Sequence, residues 1–204
     1  MKKYFFGEYL PKRFEATSEQ QAVREFVWQF KNGEKQTIRQ VVDLVVKRMR
    51  AWYGDTAGQF VIVPVPAASM AAYRHRFAYF CVAVANRLEQ LNPMQHIIID
   101  GQKEALHRST DGHVEDSNYR IQLDREWFKG KKCIIFDDVF THGKSSSEFA
   151  QQLTEAGAQV IGGMFLARTI YSETPAEPTA PAEPAKKTRR TRSKKSQKKE
   201  AENV

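Results

Sequence analysis

The sequence predicts an α/β protein: a mostly parallel sheet of about four or five strands flanked by helices. Three observations lead there. Apolar runs at 59–66, 133–136 and 159–167, rich in Val and Ile, have the composition of strands buried on both faces. Stretches with helical apolar spacing separate them, so strand and helix alternate along the chain. From 132 to 167 strand, helix and strand follow at the spacing of a right-handed parallel crossover.

Taken in order, Met1 to Phe6 lacks the long apolar core and small-residue cleavage site of a signal peptide, and no run approaches the ~18 apolar residues of a membrane span. The expectation is a cytoplasmic protein with no membrane contact. Ala22, Val23, Phe26, Val27 and Phe30 give a first helix over 18–31, with Ser18 as N-cap and Glu19 in the first turn. Asn32-Gly33 breaks it, and Ile38, Val41, Val42, Leu44, Val45 and Met49 form the stripe of a second helix ending near Gly54. Gln59 to Pro66 reads as the first strand, closed by prolines that cannot donate to a ladder. The two helices therefore precede the sheet as a hood.

Pro66, Ala67, Ala68 and Ser69 join this strand to a long helix over 70–91; their small side chains let backbone amides reach an anion, and Arg74 and Arg76 follow in the first turns. For both arginines an anion contact and a solvated helix face remain open. His96 to Asp100 reads as a short strand. The segment 102–119 has almost no apolar periodicity and is too long for an ordinary connection, so it is either a lid or a loose surface loop. A short strand at 119–123 and a turn at 127–130 lead to the stretch on which the functional reading rests.

That stretch is Lys132 to Ser146. Ile-rich residues end in Asp137 and Asp138, and Thr141, His142, Gly143, Lys144 and Ser145 form a turn into the next helix. Ligands of open α/β sheets bind outside the carboxyl ends of strands, where the helix that follows presents unpaired N–H groups to an anion. Gly143 lets backbone approach the ligand, and Thr141, Ser145 and Ser146 add hydroxyl donors. Two carboxylates would repel a phosphate placed on them, so Asp137 and Asp138 either serve ribose hydroxyls or a hydrated Mg²⁺, or stand as a solvated pair at a strand end. A Walker A loop is excluded because no Gly lies at 138. Cys81 and Cys133 each fall in an apolar pattern and are expected in the core; there is no zinc motif.

The helix over 145–156 stops at Gly157, and 159–167 returns as a strand. After Tyr171 a Pro-Ala-Glu-Pro repeat gives way to a basic run, neither of which can bury a core; both are expected to be disordered. The chain carries 32 Lys and Arg against 24 Asp and Glu, and nine of the basic residues (Lys186, Lys187, Arg189, Arg190, Arg192, Lys194, Lys195, Lys198 and Lys199) lie in that run, which has no acid. The remainder holds 23 basic residues against 24 acidic ones, so the basic character belongs to the tail. The organisation expected is a helical hood over 1–57, an α/β core over 58–171 and a tail over 172–204.

The run Ile134 to Ser145 resembles the ribose-phosphate signature of type I phosphoribosyltransferases, a Rossmann-like family in which two acidic residues precede a Thr-Thr-Gly-like turn. Phe140 stands where a smaller aliphatic is usual and His142 where a small hydroxyl or Ala is usual. Over 24–170 the chain is similar to the ComF branch, the competence proteins, in Phe26 to Gly33, Val63 to Ala67 with Arg74 to Phe77, and the Asp137-Asp138 run; the zinc ribbon common in that branch is absent. The resemblance implies binding of 5-phosphoribosyl-1-pyrophosphate with Mg²⁺ at Asp137 and Asp138, a 5-phosphate loop over 141–145 and a pyrophosphate loop over 66–69. It also implies a flexible loop at 102–119 in which His107, Arg108 and His113 could meet pyrophosphate. Two functions remain: an enzyme that passes ribosyl phosphate to a nitrogenous acceptor, or a module that senses the metabolite while its tail contacts nucleic acid, as the branch's link to DNA uptake implies. A solubilising tail, an acidic protein partner and a homodimer stay open.

Overall fold

The computed structural model describes residues 1–102 and 118–171. In chain order its elements are β1 (Lys2–Tyr9), α1 (Ser18–Lys31), α2 (Lys35–Tyr53), β2 (Phe60–Pro64), α3 (Met70–Leu88), β3 (Ile97–Asp100), β4 (Arg120–Leu123), α4 (Arg125–Phe128), β5 (Lys132–Phe140), α5 (Lys144–Glu155) and β6 (Gln159–Thr169), with a 3-10 turn Gly54–Gln59 before β2. The main sheet has the order β1-β6-β5-β2 and every pairing in it is parallel. The α/β architecture expected from the sequence is thus the one found. Among the described residues no helix is long and apolar enough to cross a membrane.

Two features of the sheet differ from the sequence reading. A strand, β1, precedes the helices and pairs with β6 along its length, from Lys2 opposite Gly162 to Tyr9 opposite Thr169. Its sequence KKYFFGEY has only a three-residue apolar run, and its partner lies at the far end of the domain, so no local pattern announces it. Arg24 holds the way out of β1: from inside α1 it donates to the carbonyls of Leu10 (2.6 Å), Pro11 (2.7 Å) and Phe14 (2.7 Å). The strands expected near 96–100 and 119–123 exist, but they pair with each other as an antiparallel ladder apart from the main sheet.

Helices α1, α2 and α3 cover one face of the sheet. Phe136 of β5 marks it, stacked on Phe80 at 4.5 Å and edge-on to Phe30 and Phe77. Val41, Val45 and Met49 of α2 are fully buried in the same core. Helix α5, the crossover between β5 and β6, buries Phe149 and Leu153. At α1 the N-cap is Thr17, not Ser18. Its hydroxyl accepts from Gln20 N at 3.3 Å while Gln20 Oε1 accepts from Thr17 N at 2.9 Å, a capping box. Ser18 with Gln21 offers the same pair one residue later, so the sequence alone leaves the start ambiguous by one. Cys81 and Cys133 are free and buried.

Candidate functional site

The site forms where β5 outruns β2. The β2 pairing ends at Pro64 opposite Phe136, with Val65 N adding one bond to the Phe136 carbonyl at 2.8 Å. Beyond that point no strand among the described residues pairs with the β2 side of β5. The Asp138 N–H is taken by Asp137 Oδ1 at 2.8 Å, and the Val139 N–H by Asp138 Oδ1 at 2.7 Å. Each carboxylate caps the residue after it.

Successive side chains of a strand point to opposite faces, and this separates the two aspartates. Asp138 is buried on the α1/α3 face: Arg76 Nη1 of α3 lies 2.8 Å from its Oδ2 and Lys31 Nζ, at the end of α1, 3.6 Å from its Oδ1. Asp137 lines a cavity of about 540 Å³ together with Phe140, Thr141, Gly143, Ser145 and Glu148. Burial, and then the neighbouring Asp138 charge, push the Asp137 carboxyl up to about 7 against the opposing pull of the Asp138 N–H, Arg76 and Lys31.

Opposite Asp137 the turn delivers the N-terminus of α5. Its N-cap, Gly143, has φ 74° and no side chain to cap the first-turn N–H groups. The turn is held from within: Thr141 Oγ1 meets Thr169 Oγ1 of β6 at 2.8 Å, and the Ser146 hydroxyl donates to the Gly143 carbonyl at 2.9 Å. Ser146, read from sequence as a donor to ligand, is therefore committed to the turn. His142 and Ser145 are exposed, and Lys144 lies 3.9 Å from Glu148, one turn on.

Phe140 explains the need for glycine. A Cβ on Gly143 would sit 2.5 Å from the Phe140 ring, in a backbone region that L side chains rarely adopt. A Gly143→Ala protein is expected to lose about 1–3 kcal/mol of stability. Adding Phe140→Leu should restore the part due to the clash, and urea titrations of the single and double variants measure that coupling. Additive losses would show that the ring does not set the turn.

The residues 66–69 stand beside this turn. Pro66, Ser145 and Glu148 line a second hollow of about 170 Å³, which shares Ser145 and Glu148 with the first. Ala67 is buried, its carbonyl accepting from Tyr119 OH at 2.9 Å; Ala68 is exposed; Ser69 caps α3, its hydroxyl accepting from Ala72 N at 3.2 Å. Arg74 is exposed. Arg76 is not part of a solvated helix face, because its guanidinium turns inward to Asp138. His107, Arg108 and His113, and every residue of the basic run, lie outside the described residues.

The donor set bears on Mg²⁺. Among the described residues no three His, Cys, Asp or Glu side chains converge into a cage. Mg²⁺ is ordinarily held by one or two carboxylates with water and ligand oxygens, so Asp137 alone, a half-buried carboxyl facing the cavity, fits that chemistry, whereas Asp138 is bound to cations on the other face.

Two contributors escaped the sequence reading. Lys31 extends the hood to Asp138, beside the Asn32-Gly33 turn whose Asn32 carbonyl accepts from His75 Nε2 at 2.9 Å. Glu148 lines both hollows; its position one turn beyond Ser145 on α5 was the available signal. Neither a protein-family model nor a curated protein matches the chain, so the functional reading rests on this geometry and on the motif that led to it.

Proposed function

We propose that the chain is a ComF-like phosphoribosyltransferase that binds 5-phosphoribosyl-1-pyrophosphate with Mg²⁺ and transfers ribosyl phosphate to a nitrogenous acceptor. The observation that carries this reading is one cavity in which a carboxyl, Asp137, faces an uncapped helix N-terminus across a Thr-x-Gly-x-Ser turn. An anion belongs at one end of such a cavity and hydroxyls at the other. The α5 amides with the Thr141 and Ser145 hydroxyls hold the 5-phosphate, Asp137 accepts from the ribose hydroxyls, and the 66–69 backbone holds pyrophosphate. In the reaction the bond from C1 of the ribose to pyrophosphate breaks, pyrophosphate leaves with the electron pair, and the acceptor nitrogen bonds C1 and sheds its proton. The chain contributes positioning and fixed dipoles; bound Mg²⁺ would supply positive charge for the departing pyrophosphate. Asp138 acts at one remove, anchoring α1 and α3 to the strand that carries Asp137.

Calorimetry tests this. Asp137→Asn should weaken Mg²⁺-dependent binding of phosphoribosyl pyrophosphate by about 2 kcal/mol or more, as loss of charge-assisted hydrogen bonds does. Unchanged affinity in the folded variant would remove the site from this edge.

The basic run favours a second reading, a non-catalytic module that senses the same metabolite and holds nucleic acid through its tail. Pyrophosphate release with candidate acceptors supports the enzyme, and binding without release across a broad panel supports the module. If about five of the nine charges meet duplex phosphates, log affinity falls against log salt with a slope near −4 to −5, and truncation after Tyr171 abolishes it. A truncated protein with the same affinity and slope excludes the tail as the contact.

A further inference from the structure

On the other face of the sheet, at the strands' N-terminal edge, lies a hollow of about 840 Å³, larger than the one at Asp137. Tyr4 and Lys2 of β1, Trp52 and Tyr53 at the end of α2, Ile134 of β5 and Ile161 of β6 line it. The strands make it. Cys133 pairs with Val160 but Ile134 with Gly162, so Ile161 is the extra residue of a bulge, and Gly162 beside it leaves the floor without a side chain. Trp52 and Ile161 keep 43% and 39% exposure although they wall a concavity. The aromatic wall is braced: Tyr4 meets Trp52 edge to face at 5.1 Å, and the Arg48 guanidinium lies over Tyr4 at 4.2 Å and over Trp52 at 5.7 Å.

The charges on this wall have one sign. Lys2 stands in the lining, Arg48 backs it, and among the described residues no Asp or Glu lines the hollow. A volume of this size lies within the range of about 300–1,000 Å³ typical of small-molecule sites, which pair apolar and aromatic walls with a few polar groups. We propose that this hollow is a second binding site, distinct from the Asp137 cavity, for a small anionic aromatic molecule whose ring packs against Trp52 and Tyr53 and whose negative group meets Lys2. The basic run at 186–199 does not suit it, since Lys2 and Arg48 would repel its nine cations. The proposal is independent of the sugar-phosphate reading, because the two sites lie on opposite faces and opposite edges of the sheet.

The experiment uses the full chain and two probes that differ by one charge: 8-anilinonaphthalene-1-sulfonate, and the neutral N-phenyl-1-naphthylamine. The sulfonate should bind once per chain with energy transfer from tryptophan, and inorganic pyrophosphate should not displace it. Lys2→Glu should weaken the sulfonate about fivefold and leave the neutral probe unchanged. Trp52→Ala should weaken both probes about tenfold. If circular dichroism shows that Trp52→Ala is unfolded, the neutral substitution Ile161→Asn takes its place with the same expectation. Equal affinities in parent and variants, or displacement by pyrophosphate, would overturn the proposal.

Discussion

An Arg76→Met protein is expected to be about 3 kcal/mol less stable than the parent. Asp138 has 6% side-chain exposure, and its short contact is Arg76 Nη1 at 2.8 Å; Lys31, at 3.6 Å and 42% exposed, is too solvated to take over. Removing the guanidinium leaves a desolvated carboxylate, for which losses of about 3–5 kcal/mol are typical. The lower end applies because Arg76 Nε is buried with no hydrogen-bond partner among the described residues, a penalty that methionine removes. Urea midpoints check the loss, and Arg76→Met with Asp138→Asn should recover most of it. A single variant as stable as the parent would show that Asp138 is solvated. Lys31→Met should have a smaller effect, as befits an ion pair near the surface. The same carboxylate ties α1, α3 and β5 together, so on the proposed function the Arg76 variant should also weaken ligand binding at the neighbouring Asp137 without removing any atom from the cavity.

The second large effect concerns pH. Burial and the Asp138 charge raise the Asp137 carboxyl to about 7, whereas in the unfolded chain it has an ordinary value near 4. Between those values the folded protein holds a proton that the unfolded chain has released, so this residue's contribution to stability is complete below about pH 4 and is lost as pH rises to about 7. Asp137→Asn removes the dependence. The variant should therefore gain on the parent progressively over that window and hold a constant advantage above it. The advantage is about 1–3 kcal/mol, less than full linkage would give because the residue is only half-buried and lines an open cavity. Urea titrations of both proteins at pH 4, 6 and 8 measure it, and an equal difference at all three would sink the account. If the proposed function holds, Asp137→Asn should gain stability and lose Mg²⁺-dependent binding together.

Much of the architecture is legible from local pattern. The Ile-rich run of β5, the Val-rich run of β2 and the return of β6 are buried on both faces, and a continuous apolar run is the mark of that burial. Helices α1, α2 and α3 show their stripes for the same reason: each has a face that must enter a core. The turn after β5 can be read because Gly143 needs a positive φ and Ser and Thr suit a helix start. These features depend on neighbours within a few residues.

Other features depend on distant partners, and there sequence fell short. β1 is a strand because β6 gives its backbone somewhere to bond, and KKYFFGEY states nothing of that. β3 and β4 were legible only as short strands without an assigned partner, and their ladder is their own; composition specifies that a segment is extended, not which edge it joins.

The candidate site divides in the same way. The sequence by itself determined that a buried strand ends in two carboxylates and that a Thr-x-Gly-x-Ser turn follows, and on that basis both carboxylates were expected at one ligand. Only the tertiary structure decided which face holds which partner. α3 crosses so that Arg76 reaches Asp138, α1 ends where Lys31 can join it, and α5 starts over Asp137 and leaves it a cavity. The physical reason is that a side chain's type is local, but its burial and the charge facing it belong to the elements packed above it, and those two quantities raise Asp137 to about 7 and hold Asp138 between two cations.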